Sequence, residues 1–149
     1  YENCRWLAFT LAYYMYEEFE KHDWHPDLII PAPIHIERFK ERGYNHTELI
    51  AAEFSRLSDI PANPNALIKT RNTPYQARLS REERLRNVAG AYAVAEPGAV
   101  YAKSILFLDD VYTTGSTSAE CSKMLMLAGA ENVYVLTAAS GRQDDTLMY

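Results

Sequence analysis

The sequence predicts an α/β fold built on an open, mostly parallel sheet with helices on both faces. Three observations carry this. Strand-length runs such as DLIIPAP, SILFL and VYVLTA are continuously apolar instead of alternating, as strands covered on both faces must be. The last third of the chain reads strand, loop, helix, strand with short links, the order of a right-handed parallel unit. Residues 3–22 lack Gly and Pro and are apolar around most of their circumference, as expected of a helix with a wide buried face.

Taken in order, Asn3 to His22 is the first helix, opened by Asn3 as N-cap. Asp27 to Pro33 is a buried strand whose exit is fixed by Pro31 and Pro33. A basic segment follows without a predicted element. Asn45 and Glu48 form a capping box that opens a helix to about Leu57, and residues 58–64, with two prolines, are a loop. Ala66 to Lys69 is a brief strand. The next stretch, Lys69 to Asn87, holds six basic and two acidic residues and is expected to be an exposed, mobile arm over 70–88, with a short helix near Arg81 to Asn87 capped by Ser80 and Glu83. Pro97-Gly98 is a turn, Ser104 to Leu108 a strand and Asp109 to Thr117 a polar loop. Ser118 to Ala128 is a helix closed by Gly129, and Val133 to Ala138 a last strand.

With 149 residues the chain has the length of one domain, 1–149, and 48% hydrophobic against 23% charged residues is an ordinary globular balance. The net charge is -5. That argues against indiscriminate nucleic-acid binding and against a polybasic membrane contact, both of which need a cationic field. The charge is unevenly placed: residues 1–30 carry 2 positive and 6 negative groups, residues 31–86 carry 10 and 7, and residues 87–149 carry 3 and 7. Cys4 and Cys121 are far apart, belong to no C-x-x-C pair, and are expected inside helices, so a reducing cytoplasm is the expected setting. No apolar run approaches a membrane span.

Asp109 to Thr117 carries the chemistry. Thr113, Thr114, Gly115, Ser116 and Thr117 supply successive backbone N–H groups, four hydroxyls and one glycine at the entrance to a helix, which is a phosphate cradle. Just before it, Asp109 and Asp110 place two carboxylates at a strand end, where they repel a phosphate but accept hydrogen bonds from a vicinal diol. Cradle and acid pair together describe a ribose 5-phosphate. By itself the loop is also the ordinary vocabulary of a capped turn, and an acid pair at a strand end also suits a Mg²⁺ receiver domain. The receiver reading is the weaker, since that pair follows the first strand and this one a late strand. Neither G-x-x-x-x-G-K-[ST] nor G-x-G-x-x-G is present. His22 and His25 have no third metal ligand nearby, and Tyr13, Tyr14 and Tyr16 lack the basic interleaving of a base-stacking platform.

ILFLDDVYTTGST, Ile105 to Thr117, resembles the thirteen-residue signature of type I phosphoribosyltransferases, which use 5-phosphoribosyl 1-diphosphate (PRPP). PAPIHIERFKERGYN, Pro31 to Asn45, and the spacing Thr73, Gln76, Leu79, Arg84, Asn87-Val88 resemble the ComF family, a competence-associated, amidophosphoribosyltransferase-like group. The resemblance runs from Asp27 to Arg142. It implies a phosphoribosyltransferase-like sheet with a reduced hood, to which residues 1–26 contribute, and displacement of diphosphate from ribose C1 by a nitrogen nucleophile. A sensor or DNA-uptake accessory that keeps the PRPP site without turnover is the alternative. Asp109 and Asp110 would hold the ribose hydroxyls and touch Mg²⁺ through water, and Thr113 to Thr117 the 5-phosphate. Pro33, Ile34 and His35 match the diphosphate loop, and Arg38 and Arg42 follow it with guanidinium forks suited to diphosphate oxygens. The basic arm, Lys69, Arg71, Arg78, Arg81, Arg84 and Arg86, would close over the diphosphate; Arg84 is favoured as a contact because it matches the family spacing, and Arg71 because it precedes the mobile part. Family members commonly carry an N-terminal four-cysteine zinc ribbon. Nothing in the sequence matches one, and no zinc site is carried over. The expected partners are PRPP and an unassigned nitrogen acceptor, with dimerisation through the apolar first helix.

Overall fold

The computed structural model describes residues 2–73 and 81–140, except for the side chains of residues 2–5, 81 and 85. The predicted positions Gln76, Arg78, Leu79, Ser80 and Arg142, and the Cys4 side chain, lie outside what is described.

Three parallel strands build the main sheet: β1 (Leu28–Pro31), β4 (Ser104–Tyr112) and β5 (Asn132–Ser140), in the order β1-β4-β5. Leu28 pairs with Ile105 and Pro31 with Leu108 on one side of β4, while Ser104 pairs with Asn132 and Tyr112 with Ser140 on the other. The loop predicted for residues 58–64 also contributes, since Ala62 forms a parallel bridge to Ile29 on the free edge of β1. Asp27 fastens the start of the sheet: its N–H donates to the Ser104 carbonyl at 2.7 Å and its carboxylate accepts from the Ser104 N–H at 2.8 Å.

Alternation along these strands sorts the core into two layers. Leu28, Ile30, Ile105, Phe107, Val133 and Val135 face α6 (Ser116–Leu127), meeting its Cys121 and Leu125. Ile29, Leu106, Leu108, Tyr134 and Leu136 face α1 (Glu2–Phe19) and α3 (His46–Ser58). Helix α1 presents Ala8, Ala12, Met15 and Phe19 at helical spacing, so residues assigned in sequence to the hood segment form a core layer. Phe54 of α3 closes the contact edge-to-face with Tyr16 and Phe19.

The remaining elements lie to one side: α2 (Ile36–Arg42), β2 (Leu67–Lys69), α4 (Arg81–Val88), β3 (Tyr92–Val94) and the single turn α5 (Pro97–Val100). Strands β2 and β3 pair antiparallel, and a bridge from His35 to Lys69 ties this ribbon to the loop leaving β1. Three of these elements depart from expectation. Helix α2 occupies the basic segment; it buries no residue, so no apolar period announces it, and it depends on its caps at His35 and Gly43. Strand β3 is three residues long and gains its pattern only from β2. Pro97 opens a short helix where a turn was expected. Strand β4 also runs through Asp109 and Asp110 to Tyr112, because its ladder with β5 continues under the polar side chains.

Phe107 is fully buried on the central strand, and Leu127 is 73% exposed. Phe107→Ala is expected to lose about 3–5 kcal/mol in urea denaturation, while Leu127→Ala stays within about 0.5 kcal/mol.

Candidate functional site

At the carboxyl end of β4, Asp109 is 8% exposed and is the last buried residue of the strand, while Asp110, Val111 and Tyr112 beyond it are exposed. The Asp110 N–H donates to Asp109 Oδ1 at 2.9 Å. Burial, reinforced by the Asp110 charge, pushes the Asp109 carboxyl up to about 7.

Beyond Tyr112 the backbone turns sharply at Gly115, with φ +74°, and enters α6. Its N-cap, Gly115, has no side chain to offer the first-turn N–H groups. The Thr114 and Ser116 hydroxyls lie 2.6 Å apart, and Ser116 and Ser118 are buried. Gly115 answers two constraints. Its positive φ is strained for other residues, and an added Cβ would lie 2.7 Å from Cζ of Tyr112.

Across the sheet end, Asn45 and Thr47 in the first turn of α3 hold the chain leaving β1. Asn45 Nδ2 donates to the Ala32 carbonyl at 3.0 Å and to Glu48 Oε1 at 3.2 Å, and the Thr47 hydroxyl donates to the same carbonyl. Asn45 thus caps α3, its Oδ1 accepting from the Thr47 N–H at 3.2 Å. Glu48 meets the Asn45 side-chain amide and not its backbone N–H, so the predicted capping box is replaced by a simple N-cap that is also tied to the chain just before Pro33 and Ile34.

Two cavities meet at Asp109. One of about 150 Å³ lies between the cradle, Arg38, Lys69 and the Arg84–Val88 end of α4. The other, about 670 Å³, lies between Pro33 and Ile34, the α2 side chains Arg38, Glu41 and Arg42, and Asp109 to Thr113. The fold thus gathers Asp109, Asp110, Thr113, Thr114, Gly115, Ser116, Thr117, Pro33, Ile34, Arg38, Arg42 and Arg84 around one space. His35 and Arg71 are placed differently. The His35 ring caps α2, its Nδ1 accepting from the Glu37 N–H, and Arg71 Nη2 donates to the Asn87 and Ala89 carbonyls at 2.9 and 2.8 Å.

Two neighbours of Asp109 stand out in the structure: Lys69, one of the six cations of the predicted basic arm, and Tyr92, which the sequence reading did not single out. The Lys69 ammonium lies 5.4 Å from the Tyr92 ring centroid, and burial together with Arg38 and Arg71 holds its pKa below the usual lysine range. Tyr92 is buried beneath it. A lysine two positions after buried Leu67 on a short strand was the available signal for Lys69; nothing comparable marks Tyr92.

No family model matches the chain. It is 33% identical over 141 residues to "Competence protein F" of Haemophilus influenzae, covering 91% of this chain and 62% of that protein. It is 36% identical over 110 residues to "DNA utilization protein YhgH" of Escherichia coli K12, covering 74% and 48%. The chain thus spans about half to three fifths of the length of these relatives. Among solved structures, a glutamine PRPP amidotransferase from B. subtilis superposes with a TM-score of 0.60 at 22% identity, over 88% of this chain and 26% of that one. A Trypanosoma cruzi hypoxanthine phosphoribosyl transferase gives 0.51 at 10% identity, over 99% and 84%. The fold is that of the type I phosphoribosyltransferases. Within it, this chain is homologous to the proteins named Competence protein F, ComFC and YhgH.

Asp109 binds its proton more tightly folded than unfolded. Stability should therefore fall as pH rises from about 4, the unfolded carboxyl value, to about 7, and level off above. Denaturation of Asp109→Asn across that window is expected to lack this component; equal pH slopes in variant and parent would contradict it.

Proposed function

We propose that this chain binds PRPP together with Mg²⁺ and transfers its phosphoribosyl group to a nitrogen nucleophile, displacing diphosphate from ribose C1. One observation carries the reading: an acid pair on the central strand leads directly into an uncapped helix N-terminus, with a loop and two arginines opposite. The cradle amides and hydroxyls of Thr113 to Thr117 suit the 5-phosphate, which gains from the α6 dipole. Asp109 and Asp110 suit the ribose diol as acceptors. On the far side, the backbone of Pro33 and Ile34 with Arg38 and Arg42 suits the diphosphate, and Lys69 adds a third cation beside Asp109.

The donor set fits a ligand-borne Mg²⁺. Among the described residues no group of three or more His, Cys, Asp or Glu could hold a metal, whereas two adjacent carboxylates, one exposed, can meet a hydrated ion through water. Mg²⁺ would supply positive charge to the leaving diphosphate. The protein adds to that charge with Arg38 and Arg42, while Lys69 and Arg84 line the adjoining smaller cavity, which shares Arg38 and Asp109.

A second reading, PRPP binding without turnover in a DNA-uptake role, draws support from the names of the relatives. In either case the net charge of -5 disfavours direct nucleic-acid binding. No described helix is long and apolar enough to cross a membrane. The outer face of α1, with Trp6, Phe9 and Tyr14 exposed, supports self-association through that helix.

Calorimetric titration with PRPP, with and without Mg²⁺, tests the site; a folded protein that gives no heat would remove both readings. Diphosphate release over a panel of ammonia, amines and bases separates them. Asp109→Ala and Asp110→Ala are each expected to weaken PRPP binding by roughly 1–3 kcal/mol, the range for a lost charged hydrogen bond. Gly115→Ala should weaken it as well, through cradle strain, without removing a charge.

A further inference from the structure

Arg71 stands one strand-end away from the site and points elsewhere. Its Nη2 donates to the carbonyls of Asn87 and Ala89, which flank the C-terminal end of α4. On the opposite side of the same turn, the Gly90 N–H donates to Glu120 Oε1 at 2.9 Å, and Glu120 belongs to α6, the helix that begins at the cradle. Between these two fastenings the backbone takes a left-handed step at Gly90, φ +68°. The Thr70 N–H adds a bond to the Ala91 carbonyl at 2.8 Å.

Polar fastening matters here because α4 has little apolar anchorage. Its eight residues are REERLRNV, and among its described side chains Val88 alone is buried. Yet Arg84, Asn87 and Val88 form one wall of the smaller cavity, facing Thr113 to Thr117. A helix end that exposes its last carbonyls is stabilised by a cation placed on them. Arg71 is that cation, and it does not line either cavity described above.

We propose that Arg71 is a positioning residue: by clamping the Asn87–Ala89 carbonyls against β2, with Glu120 holding Gly90 from α6, it sets the α4 wall at the distance the ligand requires. The inference rests on the PRPP reading of the site, and it assigns Arg71 a different task from the substrate contact that its sequence position suggested.

The test compares Arg71→Ala, Arg71→Lys and Glu120→Ala with the parent protein, using PRPP with Mg²⁺ in calorimetry and amide hydrogen exchange without ligand. Arg71→Ala should raise the PRPP Kd about tenfold, the scale of one lost charge-assisted hydrogen bond. Its exchange at Val88 to Ala91 should quicken in the free protein, and the ionic-strength dependence of binding should stay at the parent's value, because no ligand-facing charge is lost. Lysine should restore part of the affinity, and Glu120→Ala should quicken exchange at Gly90 independently. A shallower salt dependence in Arg71→Ala would make Arg71 a direct ligand contact and overturn the proposal. So would unchanged exchange, or unchanged affinity alongside a lowered melting temperature. If the parent protein binds no PRPP, the functional reading fails, while the exchange comparison still decides whether the clamp exists.

Discussion

Strand β4 is paired on both edges and covered on both faces, and the acid pair and glycine turn of the candidate site sit at its carboxyl end. A strand so enclosed cannot slide by one residue without exchanging Leu106 and Leu108 for Ile105 and Phe107 between two separately packed layers. Its register is therefore fixed, and with it the placement of Asp109 inside the wall and Asp110 outside. The helix that follows is fixed in turn by Cys121 and Leu125 against the sheet. Hydrophobic packing thus aims the polar groups.

The electrostatics follow from the same placement. Lys69 and Asp109 are both partly withdrawn from water, and each is shifted toward neutrality. With Arg38 alongside, the two groups place a potential cation and a potential anion in one low-dielectric pocket, the pairing on which the proposed PRPP reading rests. The cationic middle of the chain supplies the α2 arginines, and the acidic last third supplies the aspartates. A net charge of -5 therefore coexists with a small cavity lined by Arg38, Lys69 and Arg84 against the single carboxylate of Asp109.

Much of this was legible in the sequence, for physical reasons. Strands β1 and β4 are continuously apolar where they are covered on both faces, so composition reported burial directly, whereas β5, at the end of the sheet, buries Leu136 alone of its nine residues despite an equally apolar run. The turn into α6 was legible because a sharp entry to a helix calls for a glycine among short hydroxyl residues in consecutive positions. What escaped was held together by pairing or capping instead of by an apolar face. Helix α2 buries nothing, β3 exists through its three pairs with β2, and Ala62 joins the sheet by one bridge. Arg71 belongs to the same class. Its position beside the arm was visible, but its carbonyl partners lie 16 and 18 residues away and depend on how the chain returns.

Cys121 lies wholly enclosed behind the ligand chamber, and burial raises its thiol far above the range in which a thiolate forms. Such a sulfur is silent toward alkylating reagents until α6 lifts from the sheet. The chain therefore carries a chemical clock at its centre: the rate at which this thiol becomes labelled reports how often the layer beneath the cradle opens, and any ligand that seals the cradle should slow it.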